Sequence, residues 1–305
     1  MDKNTELMNK NNKTMTMKTK IINKKAKKII SKIAFAAAIF LVILFVIGPY
    51  MWMVSSSFKT TLEIQGMEPS WIPKTFTFQN YKTMNDIVPV FQYFKNSLII
   101  SGGTMIVSII ISLFAAYSLS RFQYKGKNPY IMALFSTQML PGILFLIPYY
   151  VMFVWIKQNL GIKMTNTYYG LIFTYTSFSL PFSILMLRNY LDSIPLEIDE
   201  QAMIDGCTRV RSLFQIILPL AKPGIAAVGI YSFIMGWSEI LFATILSGSE
   251  TTPLSIGLLD YIQQNTAHWG NMMAACIMTT IPVLVLFTIM QKHIVNGLVS
   301  GATKG

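Results

Sequence analysis

The sequence predicts an all-α, polytopic membrane protein with six transmembrane helices, and three observations lead there. Apolar residues make up 53% of the 305 residues and charged residues only 12%, whereas a soluble globular chain carries about 25% charged. Uncharged apolar runs recur along the chain, each long enough to cross a hydrocarbon core of about 30 Å at 1.5 Å per helical residue. Lysine and arginine are unevenly shared between alternate connections, as in membrane proteins that orient by positive charge. This composition excludes a disordered protein, a disulfide scaffold and most cytosolic enzymes. Cys207 and Cys276 imply no disulfide framework.

Residues 1–32 form a lysine-rich tail with ten lysines against Asp2 and Glu6, which accounts for +8 of the net charge of +12. The tail lacks interleaved aromatic residues and runs directly into an apolar stretch. It therefore reads as a solvated cytoplasmic segment near anionic lipid, with no nucleic-acid partner. Its Lys/Asn/Thr/Met composition predicts disorder up to about Lys20. The first span covers Ile33 to Val54, 22 residues without a charge. That is longer than the roughly 7 to 15 residues of a signal-peptide core, so the run is expected to be a retained span. Ser55 to Lys95 is polar and aromatic, and is expected to be an outer loop with some structure of its own. The second span, 96–119, carries small residues such as Gly102, Gly103, Ser108 and Ser112 that permit close helix approach. A basic turn with Arg121, Lys125 and Lys127 follows. The third span, 129–156, is interrupted by Pro141-Gly142 and Pro148, which predicts a kink facing the protein interior. The fourth, 167–187, contains Pro181; the fifth and sixth are expected at 220–247 and 272–291. With both termini cytoplasmic, 19 of the 25 lysines and arginines fall on the inner side.

Catalytic signatures are missing from the sequence. His268 and His293 are expected near opposite faces of the membrane and so cannot form a metal site or a catalytic pair, and there is no phosphate loop, HExxH or GxSxG motif. The expected class is a transport subunit, with no metal or cofactor of its own. The informative segment is the connection 188–219. Ser193 as cap, Pro195 in the first turn and Gly206 as stop predict a short helix over 194–205, with Ile194, Ile198, Ala202 and Asp205 on one side and Glu197, Asp199 and Glu200 on the rest. A second short helix is expected from Thr208 to Ile217, ended by Pro219. Helices lying on a membrane favour basic polar faces, so an acidic pair reads as a docking element.

Glu200-Gln201-Ala202, then Gly206 after three residues, then Ile216-Ile217-Leu218-Pro219 after nine more, resembles the EAA, G, IxLP loop of membrane subunits in binding-protein-dependent ABC importers. Gln201 stands where that pattern has a second-position Ala, a mild departure. The resemblance implies the type I permease fold, with Glu200, Gln201, Ala202, Gly206, Ile216, Leu218 and Pro219 in the loop that docks on an ATPase. Further stretches resemble the second permease subunit of the maltose-type carbohydrate branch: WMVSSSFK (Trp52 to Lys59), WIPKTFTFQNY (Trp71 to Tyr81), AAYSLSRFQYKGK (Ala115 to Lys127), MLPG (Met139 to Gly142), GWSEILFA (Gly236 to Ala243) and VNGLVSGATKG (Val295 to Gly305). Only the tail has no counterpart. The implied partners are a homologous permease in a heterodimer, a cytoplasmic ATP-binding subunit dimer that holds ATP and magnesium, and an extracellular or periplasmic solute-binding protein. The implied location is the cell (inner) membrane.

Two residues of the fifth span bear on the passenger. Glu239 costs about 2.5 kcal/mol or more at a helix centre unless it is paired or faces water, so it is expected to face the interior, as a pathway group or a structural pair. Trp237 either stacks on a sugar or anchors a helix end. The aromatic residues of the third span read as packing. Three alternatives stay open: a permease for a non-sugar solute, a self-sufficient secondary transporter, and a membrane scaffold that recruits a partner through the acidic loop.

Overall fold

In a computed structural model, the chain is described for the backbone of residues 3–262 and 267–302, and for the side chains of 27–28, 30–262 and 267–292. The first helix, α1 (Lys3–Ser57), corrects the expectation of a disordered tail. No glycine or proline precedes Gly48, and lysine and methionine are good helix formers, so nothing stops the span's helix from continuing through the basic segment. The side chains of residues 30–47 are all exposed; α1 packs with the last long helix, and its buried residues, Ser56 and Ser57, lie at its end.

The outer segment holds two short helices, α2 (Thr61–Gln65) and α3 (Gln79–Ile87), clipped together by polar side chains. Lys59 is buried; its ammonium sits 4.2 Å from the Trp52 ring centroid and donates to the Ser70 carbonyl. Glu63 accepts from the Ser70 hydroxyl and the Lys74 amide, both at 2.8 Å, and the Lys74 amide is the main reason its carboxyl sits below the usual range. Asn80 donates to the carbonyls of Ser57 and Lys59 and accepts at its own carbonyl from Asn271, which ties this loop to the last helix.

The core is built from α4 (Val90–Arg121), α7 (Tyr168–Asp192) and α11 (Lys222–Trp237). Small and hydroxyl residues line their contacts: Ser108 bonds Ser179 at 2.7 Å, and Ser183 meets Ser232 at 3.3 Å. A side chain at Gly236 would bring its Cβ to 3.2 Å from the Ser101 Cα, so glycine is what lets α11 lie against α4. The last long helix, α14 (Trp269–Ala302), packs on α11 and α3. Of the closing segment 295–305, only the helical backbone to Ala302 lies within the described residues.

Two of the six expected spans are not single helices. The third is α5 (Lys127–Met139), a break at Leu140 and Pro141, a 3₁₀ turn (Gly142–Phe145), and α6 (Leu146–Leu160). Proline has no amide for the ladder, and Leu140 before it is driven to extended backbone, so the expected kink is a full break. In the fifth, α11 stops at Trp237 and α12 (Leu241–Leu246) begins after three non-helical residues. Before α11 the chain forms α8 (Leu196–Ile204), α9 (Arg209–Ser212), a π turn (Leu213–Ile217) and α10 (Leu218–Leu220). A short α13 (Leu254–Gly257) and a 3₁₀ turn (Leu259–Tyr261) precede α14. Among the described residues, five helices are long and apolar enough to cross a membrane. A sixth crossing results when the segment Arg209–Leu220 and α11, which meet at 77°, count as one bent span.

Candidate functional site

The connection between α7 and α11 is a helix pair fixed at both ends. At the start, Pro195 rather than Ser193 occupies the cap position of α8, with no side-chain cap bond; the Ser193 amide instead closes the end of α7 on Tyr190. This moves the helix start two residues later than the sequence pattern suggested. At its end, the Cys207 amide donates to the Ala202 carbonyl at 2.9 Å and the Gly206 amide to the Met203 carbonyl at 3.1 Å. This is a Schellman cap, which requires the left-handed backbone that Gly206 supplies at φ +83°. The Thr208 hydroxyl then accepts from the Arg211 amide to start α9.

Glu200 and Gln201 are exposed on α8, beside Ile204 at 84% exposure and close in sequence to the exposed Val210 of α9. Exposed aliphatic side chains rimmed by carboxylates mark a partner surface. Ala202 differs from the role the resemblance implied: it is 3% exposed and faces inward, leaving its part in the Schellman cap and in packing. Ile216 and Leu218 are half-buried in the elbow that joins the helix pair to α11, and Pro219 is exposed on it. Proline supplies no amide to the turn before it, and the helix there widens into the π turn. Ile217 and Leu213 from this turn pack with Leu113 and Tyr117 of α4 and with Leu187 and Leu191 of α7.

A buried ionic node holds the helix pair to α4, and sequence reasoning missed it. Arg121 Nε lies 2.6 Å from Asp199 Oδ2, with the two side chains 5% and 7% exposed. Asp199 Oδ1 accepts from the Ser212 hydroxyl at 3.0 Å and more weakly from the Tyr117 hydroxyl at 3.4 Å. Arg121 also donates to the Ile194 carbonyl at 3.1 Å, and Arg209 lies over the Phe122 ring. α4, α8 and α9 therefore meet at one carboxylate. The only signal was opposite charge at distant positions, Arg121 in a basic turn and Asp199 in an acidic helix, and no spacing rule pairs these.

Glu239 occupies the break between α11 and α12 instead of a helix interior. Its Oε1 accepts from the Phe242 amide at 2.9 Å, and its backbone carbonyl accepts from the Ser255 hydroxyl at 2.7 Å. The carboxylate is half-buried and caps α12, which satisfies part of the cost of placing it among apolar helices. Trp237 stacks on Phe233, meets Phe94 edge-on, and donates its indole N–H to the Thr279 carbonyl at 3.2 Å. One ring face and the only donor are thus committed to packing.

A bundle of apolar helices whose fifth crossing is bent and carries a protruding, rigidly held helix pair defines a multi-pass membrane permease of the type I importer fold. The chain belongs to the family described as binding-protein-dependent transport system inner membrane component, which matches residues 89–299. The chain is 33% identical to the diacetylchitobiose uptake system permease protein DasC of Streptomyces coelicolor, over 87% of this chain and 95% of that protein. It is 32% identical to the trehalose/maltose transport system permease protein MalG of Thermococcus litoralis, over 92% and 99%. Among solved structures, a bacterial ABC transporter involved in the import of the acidic polysaccharide alginate shares the fold, with a TM-score of 0.73, 20% identity, and coverage of 86% of this chain and 96% of that one.

Proposed function

We propose that this chain is one half of the membrane pathway of an ATP-driven importer for a sugar or oligosaccharide. It pairs with a homologous permease, receives its passenger from a solute-binding protein outside the cell, and rests on a dimer of cytoplasmic ATP-binding subunits that hold ATP and magnesium. Both termini lie in the cytoplasm. The family membership favours this reading over a self-sufficient secondary transporter or a scaffold, and relatives named for saccharide transport favour a sugar over other solutes.

The observation that carries the coupling role is the α8–α9 pair. It presents Glu200, Gln201, Ile204 and Val210 outward, while Asp199, Ala202 and Ser212 face inward, bonded or packed. A surface element clamped this firmly transmits a push on its outer face to α4 and, through the elbow, to α11. Mechanical transfer requires such stiffness, since a loosely attached loop would absorb the movement. In this reading Glu239 and Trp237 shape the pathway by holding the α11–α12 break.

The test is co-purification of the ATP-binding subunits with the permease pair, together with substrate-stimulated ATP hydrolysis in proteoliposomes. Glu200→Lys combined with Gly206→Pro reverses a contact charge and removes the left-handed cap. Loss of a charge partner at an interface costs about 2 kcal/mol or more, some thirty-fold in affinity. Both readouts should fall steeply while pairing with the second permease persists; wild-type values for both would remove the loop from the coupling path.

A further inference from the structure

The break in the third span opens a cleft between α5, α6 and α7 of about 150 Å³. It lies near mid-membrane: Met139 is the thirteenth residue of α5, about 20 Å along the helix from Lys127. The walls combine ring faces (Phe145, Tyr149, Phe178) with hydrogen-bonding groups (Thr137, Gln138, Ser177). The Tyr149 hydroxyl bonds the Ser177 hydroxyl, which itself donates to Thr174. The Gln138 carboxamide has no partner among the described residues and is exposed. Pro181 also borders the cleft, and because it lacks an amide, the Ser177 carbonyl one turn earlier loses its helical donor.

Hydrocarbon does not tolerate this arrangement. Irregular backbone at membrane depth occurs only where protein covers it or where it lines a water-filled cavity, and a free carboxamide is costly in lipid. This chain does not cover the break, since Gln138, Met139, Leu140 and Pro141 are all exposed, Met139 at 83%. The cleft is also smaller than the roughly 300 Å³ at which complete ligand pockets begin. The hydrogen-bonding groups of its lining fit the second of these settings, with the cleft as one wall of a larger water-filled cavity. Aromatic faces set among amide and hydroxyl groups match a pyranose ring, which has apolar C–H faces and a rim of hydroxyls.

We propose that the third-span break is a sugar-contacting subsite of the pathway, with Gln138 and Ser177 hydrogen-bonding the hydroxyls of one ring and the neighbouring rings of Tyr149 and Phe178, 5.5 Å apart, lying side by side against one of its faces. The inference rests on the importer reading above and gives this half of the permease pair its own share in choosing the passenger. The aromatic side chains of the third span, expected from the sequence to be packing alone, then serve both purposes.

The experiment uses the complete importer in proteoliposomes, with Cys207→Ser, Cys276→Ser and Gln138→Cys in this chain. Uptake by the parent complex of radiolabelled diacetylchitobiose, maltose or trehalose identifies the probe. The membrane-impermeant thiol reagent MTSET should then modify Gln138→Cys, and the carried saccharide should slow that modification at least fivefold during turnover. Gln138→Ala should raise the KM for uptake about tenfold, the loss of one hydrogen bond. Reaction with the lipid-soluble N-ethylmaleimide but not with MTSET would make the break a dry contact with the second permease and overturn the proposal. So would MTSET reaction without protection, combined with an unchanged KM. If the parent carries none of the three saccharides, the passenger lies outside these disaccharides, and reaction of Gln138→Cys with MTSET as against N-ethylmaleimide alone then decides the subsite, which sets that failure apart from failure of the subsite.

Discussion

Arg121 and Asp199 show how much one buried pair can decide. Removing one partner of a buried ion pair leaves an uncompensated charge and costs about 3 to 5 kcal/mol, whereas replacing both with apolar residues is often close to neutral. Asp199→Leu alone should therefore lower the thermal unfolding midpoint of the purified chain and weaken capture of the ATP-binding subunits. Arg121→Leu combined with Asp199→Leu should recover most of the unfolding midpoint. If the two losses simply add in the double variant, the pair is not coupled and the node does not hold α8 to α4. At this scale the sequence was only partly legible. Gly206 was readable because a left-handed helix stop has a residue signature, while Asp199 was visible only as one more acid on a polar helix face. Ala202 was placed by the family pattern in the docking loop, and its burial within the chain shows that a motif position can serve the fold of the motif itself. Glu239 could be singled out by the cost of its charge, but the amide of Phe242 that partly offsets that cost belongs to a helix break that an unbroken apolar run conceals.

Helices were legible where length and hydropathy alone decide, as in α4, α7 and α14. Direction was not: the apolar run from Leu220 to Ser247 gives no hint of the 77° bend before it or of the break after Trp237. The elbow at Leu213–Ile217 has its own geometric logic. A π turn is an α-helix that has taken up one surplus residue while the segments on either side stay in register, so one further residue there would rotate everything before it by roughly 100° about the axis. Inserting one alanine after Gln215 should therefore swing Glu200 and Ile204 out of their docking position and abolish capture of the ATP-binding subunits, while Gln215→Ala, which keeps the residue count, should capture at close to the wild-type level. Equal capture by the two would show that the register of the elbow does not aim α8.

For the whole molecule, the proposed orientation in the membrane rests on the charge asymmetry of the connections. Against a Cys207→Ser, Cys276→Ser background, Gln79→Cys should react with an impermeant maleimide in intact cells and Asn128→Cys should react only after permeabilisation. Both positions are exposed in the fold, so accessibility within the chain is not the limiting factor. The opposite labelling would invert the molecule and place the α8–α9 pair outside the cell, away from any ATPase.

The near-isolation of α1 has a consequence for how the protein is made. Its length from residue 30 to 47 is covered by none of the other described residues, and the family match begins only at residue 89. α4 and α7, by contrast, each bury serines and threonines against one another and are complete only as a pair. During synthesis α1 precedes them and needs no neighbour to be stable in lipid. In the proposed orientation it can enter the bilayer as soon as it leaves the ribosome, with its lysines retained behind it, and so fix the sidedness of every later helix before the first of the mutually dependent ones has been translated.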